Sequence, residues 1–125
     1  WPYYNELIKL ILDRYGNSYK IVTAPGPSEI NDAKSFKAIA LLDNGRALDI
    51  SQLTSLIKGS SFVVANDTGP AHITAHVGAK GLTLFGKHTT AYKVNIEREN
   101  FKAIEVSNLN NLSAEKVFER LTNLL

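Results

Sequence analysis

His72 and His76 stand four residues apart, a spacing that puts two side chains on one face of a helix. With Asp67 just upstream, the trio suggests zinc. The helical H-E-x-x-H pattern that builds such a site needs a glutamate after the first histidine, and Ile73 occupies that place. No third ligand is evident, so no metal is expected. The segment before His72 points to anion binding instead. Asn66-Asp67-Thr68-Gly69-Pro70 separates an apolar run from a helical one. Pro70 suits a first helical turn, where its missing N–H costs nothing. Gly69 reads as the N-cap, open to close approach by another group. The amides of Ala71, His72 and Ile73 are then expected to be unpaired within the helix. Such an end attracts anions through its free N–H groups and its dipole, and His72 adds a side-chain donor. The plain alternative is a helix capped by an oxygen of Asp67 or Thr68, with no ligand.

Glu29 follows the turn Ala24-Pro25-Gly26-Pro27. A carboxylate there can accept both hydroxyls of a ribose; its plain alternative is a favourable charge in a first helical turn. Gly81-Leu82-Thr83-Leu84-Phe85-Gly86-Lys87-His88 nearly spells a P-loop. Its middle residues read as an apolar strand where the motif needs a phosphate-wrapping loop, and His88 replaces the Ser or Thr that would hold magnesium. The motif is rejected, although Lys87 and His88 remain able to face an anion. There is no G-x-S-x-G elbow for a serine hydrolase. The Asn66 and Asn111 sequons read as chance.

These residues need a scaffold, and the periodicity supplies one. Tyr4, Leu7, Ile8, Ile11 and Leu12 recur at helical spacing, closed by Gly16. Tyr19 to Thr23 is a strand. Ser28 caps a helix through Ala33 and Phe36. Ala38 to Leu42 is a strand or the end of that helix. Asn44-Gly45 is a turn, with a brief strand near Ala47 and Leu48 after it. Ser51 caps a helix that Gly59 closes. Phe62 to Ala65 and Leu82 to Phe85 are buried strands flanking the helix Ala71 to Val77. Phe101 to Val106 is the last strand, and Ser113 starts a terminal helix with Val117, Phe118, Leu121 and Leu124 on one face. Alternating strands and helices predict an α/β fold, a Rossmann-like three-layer arrangement on a parallel sheet. Ligands of such sheets bind beyond the C-terminal strand ends, which singles out the loops after Thr23, Ala65 and Phe85.

At 125 residues and 44% hydrophobic, the chain fits one domain with a real core. It has no cysteine, which excludes disulfides and Cys-zinc sites. A net charge of +2 without any basic run gives no nucleic-acid footprint, so no nucleic-acid partner is expected. No apolar stretch reaches the ~20 residues of a membrane helix. The start at Trp1 and the lack of any methionine suggest a segment of something longer.

Taken together, these loops resemble glycosyltransferase family 9, which includes the lipopolysaccharide heptosyltransferases. Phe62 through His72 is similar to the family's Asp-Thr-Gly-x-x-His signature, and Leu82-Thr83-Leu84-Phe85-Gly86 to the strand that follows it. Trp1-Pro2 resembles its Trp-Pro element, and Ala24 to Glu29 its Gly-rich loop ending in Glu. The resemblance covers nearly the whole chain, residues 1–125 being one donor-binding domain. It implies the C-terminal half of a GT-B enzyme that transfers heptose from an ADP-heptose-like nucleotide sugar to the lipopolysaccharide core. By this resemblance Glu29 holds the donor ribose, Asp67, Thr68, Gly69 and His72 surround the diphosphate and sugar, and Leu48 lies against the adenine. The catalytic carboxylate and the acceptor site belong to an N-terminal domain absent from this chain, so the chain alone is expected to be inactive. No cofactor is implied. The location implied is cytoplasmic, with peripheral contact at the inner membrane. The family usually continues Pro-Thr after this glycine; here Lys87-His88-Thr89-Thr90 follows, which affects donor identity. Asp67 would repel phosphate, so it fits best tying down the loop or meeting hydroxyls while amides face the diphosphate. From the residues, two alternatives stay open: another GT-B nucleotide-sugar enzyme such as an epimerase, and a non-catalytic α/β module of receiver type. A receiver needs clustered acids at strand ends, where only Asp67 qualifies.

Overall fold

A computed structural model describes residues 1–87 and 96–125. Helix α1 is Tyr4–Tyr15, α2 Ile30–Ala33, α3 Ile50–Lys58, α4 Gly69–Val77 and α5 Ala114–Leu124. The strands are β1 Val22–Thr23, β2 Ile39–Ala40, β3 Val63–Asn66, β4 Gly81–Phe85 and β5 Phe101–Glu105. All pairings between these strands are parallel, in two groups: β1 with β2, and β3-β4-β5 with β4 central. The expected sheet is therefore divided, with no ladder joining β1 to β3 among the described residues. Its first strands are only two residues each, too short to carry a continuous ladder across that gap.

The three layers follow from strand alternation. Val64, Leu82, Leu84 and Ile104 pack with Leu7 of α1 and with Val117 and Leu121 of α5. Ala65, Phe85 and Phe101 pack on the opposite side with Ala71 and Ala75 of α4, and α3 packs on α4. Every residue of β4 is buried, which explains its unbroken apolar run, since a central parallel strand is covered on both faces. Buried Thr83 and Thr74 are both hydrogen-bonded, as dry polar groups must be.

Gly16, Gly59 and Ser113 end or start their helices as expected, and the starts of α2, α3 and α4 differ from expectation by one or two residues. α3 is capped by Asp49, not Ser51. The Asp49 carboxylate accepts the Gln52 amide at 2.8 Å, and the Gln52 side chain returns to the Asp49 N–H at 2.9 Å, a complete capping box. Asp49→Ala should lower stability by about 1 kcal/mol, read as a shifted urea midpoint with unchanged slope. Ser28 does not cap α2; Glu29 holds that position. Asn44 and Gly45 take φ of 51° and 80°, and the tight turn closes with Asp43 and Arg46 exchanging backbone bonds at 2.8 and 3.0 Å. Ala47 and Leu48 are not a strand, because the turn hands directly to the cap of α3. Gly78, with φ 73°, ends α4 in the left-handed conformation that glycine adopts without strain.

Candidate functional site

The loops after β1 and β3 leave the C-terminal ends of parallel strands, where ligands of such folds bind. α4 begins at Gly69, so its N-cap is Thr68 and not Gly69. The shift by one residue changes which amides are free. The Thr68 carbonyl takes both the Ala71 N–H at 3.1 Å and the His72 N–H at 3.3 Å. Pro70 has no N–H, so Gly69 keeps the open first-turn amide among the described residues. No side chain caps this end. The Thr68 hydroxyl turns back to the Asn66 carbonyl at 3.3 Å. The plain alternative, a helix capped by Asp67 or Thr68, is therefore not the arrangement found. A Cβ at Gly69 would meet no atom of the described residues within 4 Å.

Glu29 sits exposed at the rim. Its Oε1 accepts the Gly26 N–H at 3.0 Å, while its own N–H donates to the Gly26 carbonyl at 2.9 Å. The side chain thus closes its loop rather than capping α2. One carboxylate oxygen is fixed by that bond. A Cβ on Gly26 would come within 2.8 Å of Oε1, so glycine is what lets the carboxylate lie against the turn.

Asp67 and His72 face each other, Oδ1 to Nε2 at 3.9 Å, too far for a hydrogen bond. The His72 side chain is nearly half exposed, that of Asp67 much less. Leu48 is half-buried just ahead of Asp49, and nothing ties it to Glu29 or Asp67. Lys87 is exposed one residue past Gly86; His88, Thr89 and Thr90 lie outside the described residues. Among the described residues no three of His, Cys, Asp and Glu gather as metal ligands.

Two further residues stand beside this group, Asn66, which the sequence marked only as a loop start and a chance sequon, and Tyr4. Asn66 accepts the Tyr4 hydroxyl on Oδ1 at 2.9 Å, and its carbonyl receives the Thr68 and Thr83 hydroxyls at 3.3 and 3.4 Å. Burial raises the Tyr4 pKa well above the usual tyrosine value, and the Glu29 charge adds to the rise. Tyr4 thus meets the end of β3 at Asn66 and the segment after α2 at Phe36. No sequence signal marks it, because it fills an ordinary apolar position of α1. The Trp-Pro start is an anchor: the Trp1 indole donates to the Leu112 carbonyl at 2.7 Å, and the Tyr3 hydroxyl to the Asn110 carbonyl at 2.6 Å.

The sequence matches glycosyltransferase family 9 (heptosyltransferase) over residues 1–122. No curated protein matches it. Among solved structures, E. coli heptosyltransferase WaaC with ADP superposes with a TM-score of 0.74 at 23% identity, covering 98% of this chain and 39% of that one. The chain thus spans well under half the length of that relative and carries its fold. With a family match over nearly every residue and the signature Asp67-Thr68-Gly69-Pro70-Ala71-His72 at the head of α4, the chain belongs to glycosyltransferase family 9, the heptosyltransferase family.

Proposed function

We propose that this chain is the donor-binding domain of an inverting glycosyltransferase that takes heptose from an ADP-heptose-like nucleotide sugar. The observation that carries the reading is that two loops, each beyond the C-terminal end of a parallel strand, carry complementary groups. The β1 loop brings a carboxylate, Glu29, and the β3 loop brings a helix end with no side-chain cap. The two are the opposite ends of a nucleoside diphosphate in chemical terms. Ribose hydroxyls donate to a carboxylate, and diphosphate oxygens accept from helix amides. Thr68, Gly69 and His72 serve the diphosphate and sugar, Asp67 steadies the loop or meets sugar hydroxyls, and Leu48 offers apolar surface to the adenine. ADP bound to the E. coli relative supports the choice of nucleotide. In this reading the acceptor is the lipopolysaccharide core, met through a partner domain that also carries the general base. The whole enzyme works at the cytoplasmic face of the inner membrane by peripheral contact. Among the described residues no helix is long and apolar enough to cross a membrane.

Calorimetric titration with ADP tests the reading. The folded chain should bind ADP with no need for magnesium, since its sequence has no D-x-D pair to hold the metal. A folded chain that takes up no ADP would refute it. Glu29→Gln should weaken ADP binding by about 1–3 kcal/mol, the cost of a lost charge-assisted bond. The glutamine carbonyl can still accept the Gly26 N–H, so the loop should persist and the melting temperature should hold. Equal affinities would return Glu29 to the role of loop closure.

A further inference from the structure

We propose that Tyr4 is a positioning residue of this site, its hydroxyl holding the Asn66 side chain so that the end of β3 and the segment after α2 keep one spacing. The inference rests on the donor-binding reading above. Tyr4 belongs to α1, which contributes none of the loops at the ligand face. Yet its hydroxyl donates to Asn66 Oδ1 across 62 positions of sequence. Its ring stands edge-on to Trp1 at 5.0 Å between centroids and lies against Phe36 at 5.6 Å. Phe36 follows α2, so the ring also touches the segment that continues from Glu29. The next residue strengthens that side: Asn5 donates to the Ser35 carbonyl at 2.9 Å and accepts the Lys37 N–H at 2.8 Å. The start of α1 therefore grips the end of β3 at Asn66 and the segment between α2 and β2 at Ser35, Phe36 and Lys37, where no strand ladder joins the two among the described residues. The phenol stays protonated, because burial and the Glu29 charge both oppose its ionisation. Its hydrogen goes to Asn66, which fixes one end of a planar amide. The Asn66 Nδ2 hydrogens, without a partner among the described residues, are left for an oxygen of the nucleoside diphosphate.

Tyr4→Phe keeps the ring and removes the hydroxyl. Three readouts are compared with wild type: ADP affinity by calorimetry, melting temperature, and the Asn66 side-chain amide signals in nitrogen-15 NMR. The variant should bind ADP about five- to tenfold more weakly, as expected for one hydrogen bond, and melt within a few degrees of wild type. The Asn66 amide pair should shift on ADP addition in wild type and not in the variant. Tyr4→Phe combined with Asn66→Ala should bind no more weakly than Asn66→Ala alone, since both break one link. Equal ADP affinity in Tyr4→Phe and wild type overturns the inference and leaves the donor reading intact. A folded wild-type chain that binds no ADP overturns both. If Tyr4→Phe melts far below wild type, Asn66→Ala decides: a comparable loss of affinity supports the link, and unchanged affinity overturns it.

Discussion

Gly81→Val is expected to be the most damaging single change to the fold. Gly81 opens the central strand β4, paired with Val63 on one side and Phe101 on the other. A Cβ there would collide with the Val63 carbonyl oxygen and press the Phe101 ring at 3.1 Å. The first obstacle is backbone, so relief means shifting β3 against β4. That shift disturbs the ladder and the packing of Phe85 and Phe101, both fully buried. Overpacking ordinarily costs about 1–3 kcal/mol. With three added carbons against a fixed oxygen, the loss should reach about 3 kcal/mol or more, a large part of the ~5–15 kcal/mol that holds a domain folded. Urea unfolding followed by circular dichroism measures it. Gly81→Ala should lose less, in the order of added volume. A valine variant as stable as wild type would mean that β3 and β4 slide past each other without penalty.

Gly69→Val should act on ligand binding and spare the fold. A Cβ at Gly69 would meet no atom of the described residues within 4 Å, and the gain in helix propensity over glycine is set against the crowding of a branched residue before Pro70. Stability should stay close to that of wild type. In the donor-binding reading, that side of the residue is where the diphosphate meets the Gly69 amide. Branched carbons there block the approach, and ADP affinity should fall at least about tenfold, or about 1.4 kcal/mol. His72→Ala should lose less, because the helix-end amide remains. In wild type, pyrophosphate or ADP should shift the Gly69 amide signal most. The Ala71 and His72 amides already have a carbonyl partner and should move less. Unchanged affinity in Gly69→Val, or dominant shifts near Lys87, would move the diphosphate away from α4.

Gly81 and Gly69 together show that composition does not reveal why a glycine is present. One is closed in by backbone and the other meets no described residue on its Cβ side, and both begin an element. Only the neighbours distinguish them.

Much was legible from the sequence because it depends on near neighbours along the chain. The apolar run Leu82 to Phe85 had to be a buried strand, and Thr68-Gly69-Pro70 had to open a helix, since proline is tolerated there and not further in. The helical stripe of Val117 and Leu121 found the same sheet face that Leu82 and Leu84 present. The layer order and the candidate loops followed from that alternation. Registers did not. Asp49 and Ser51 are both competent caps, and the choice fell to Asp49 because Gln52 stands where it completes the box. Thr68 rather than Gly69 became the cap of α4, which moved the open amide by one residue. The division of the sheet among the described residues, and the Tyr4 hydroxyl bond to Asn66, were beyond any local signal. A hydrogen bond between residues 62 positions apart depends on how α1 packs against the sheet. Packing is decided by the whole core at once, whereas capping and strand propensity are decided within a few residues.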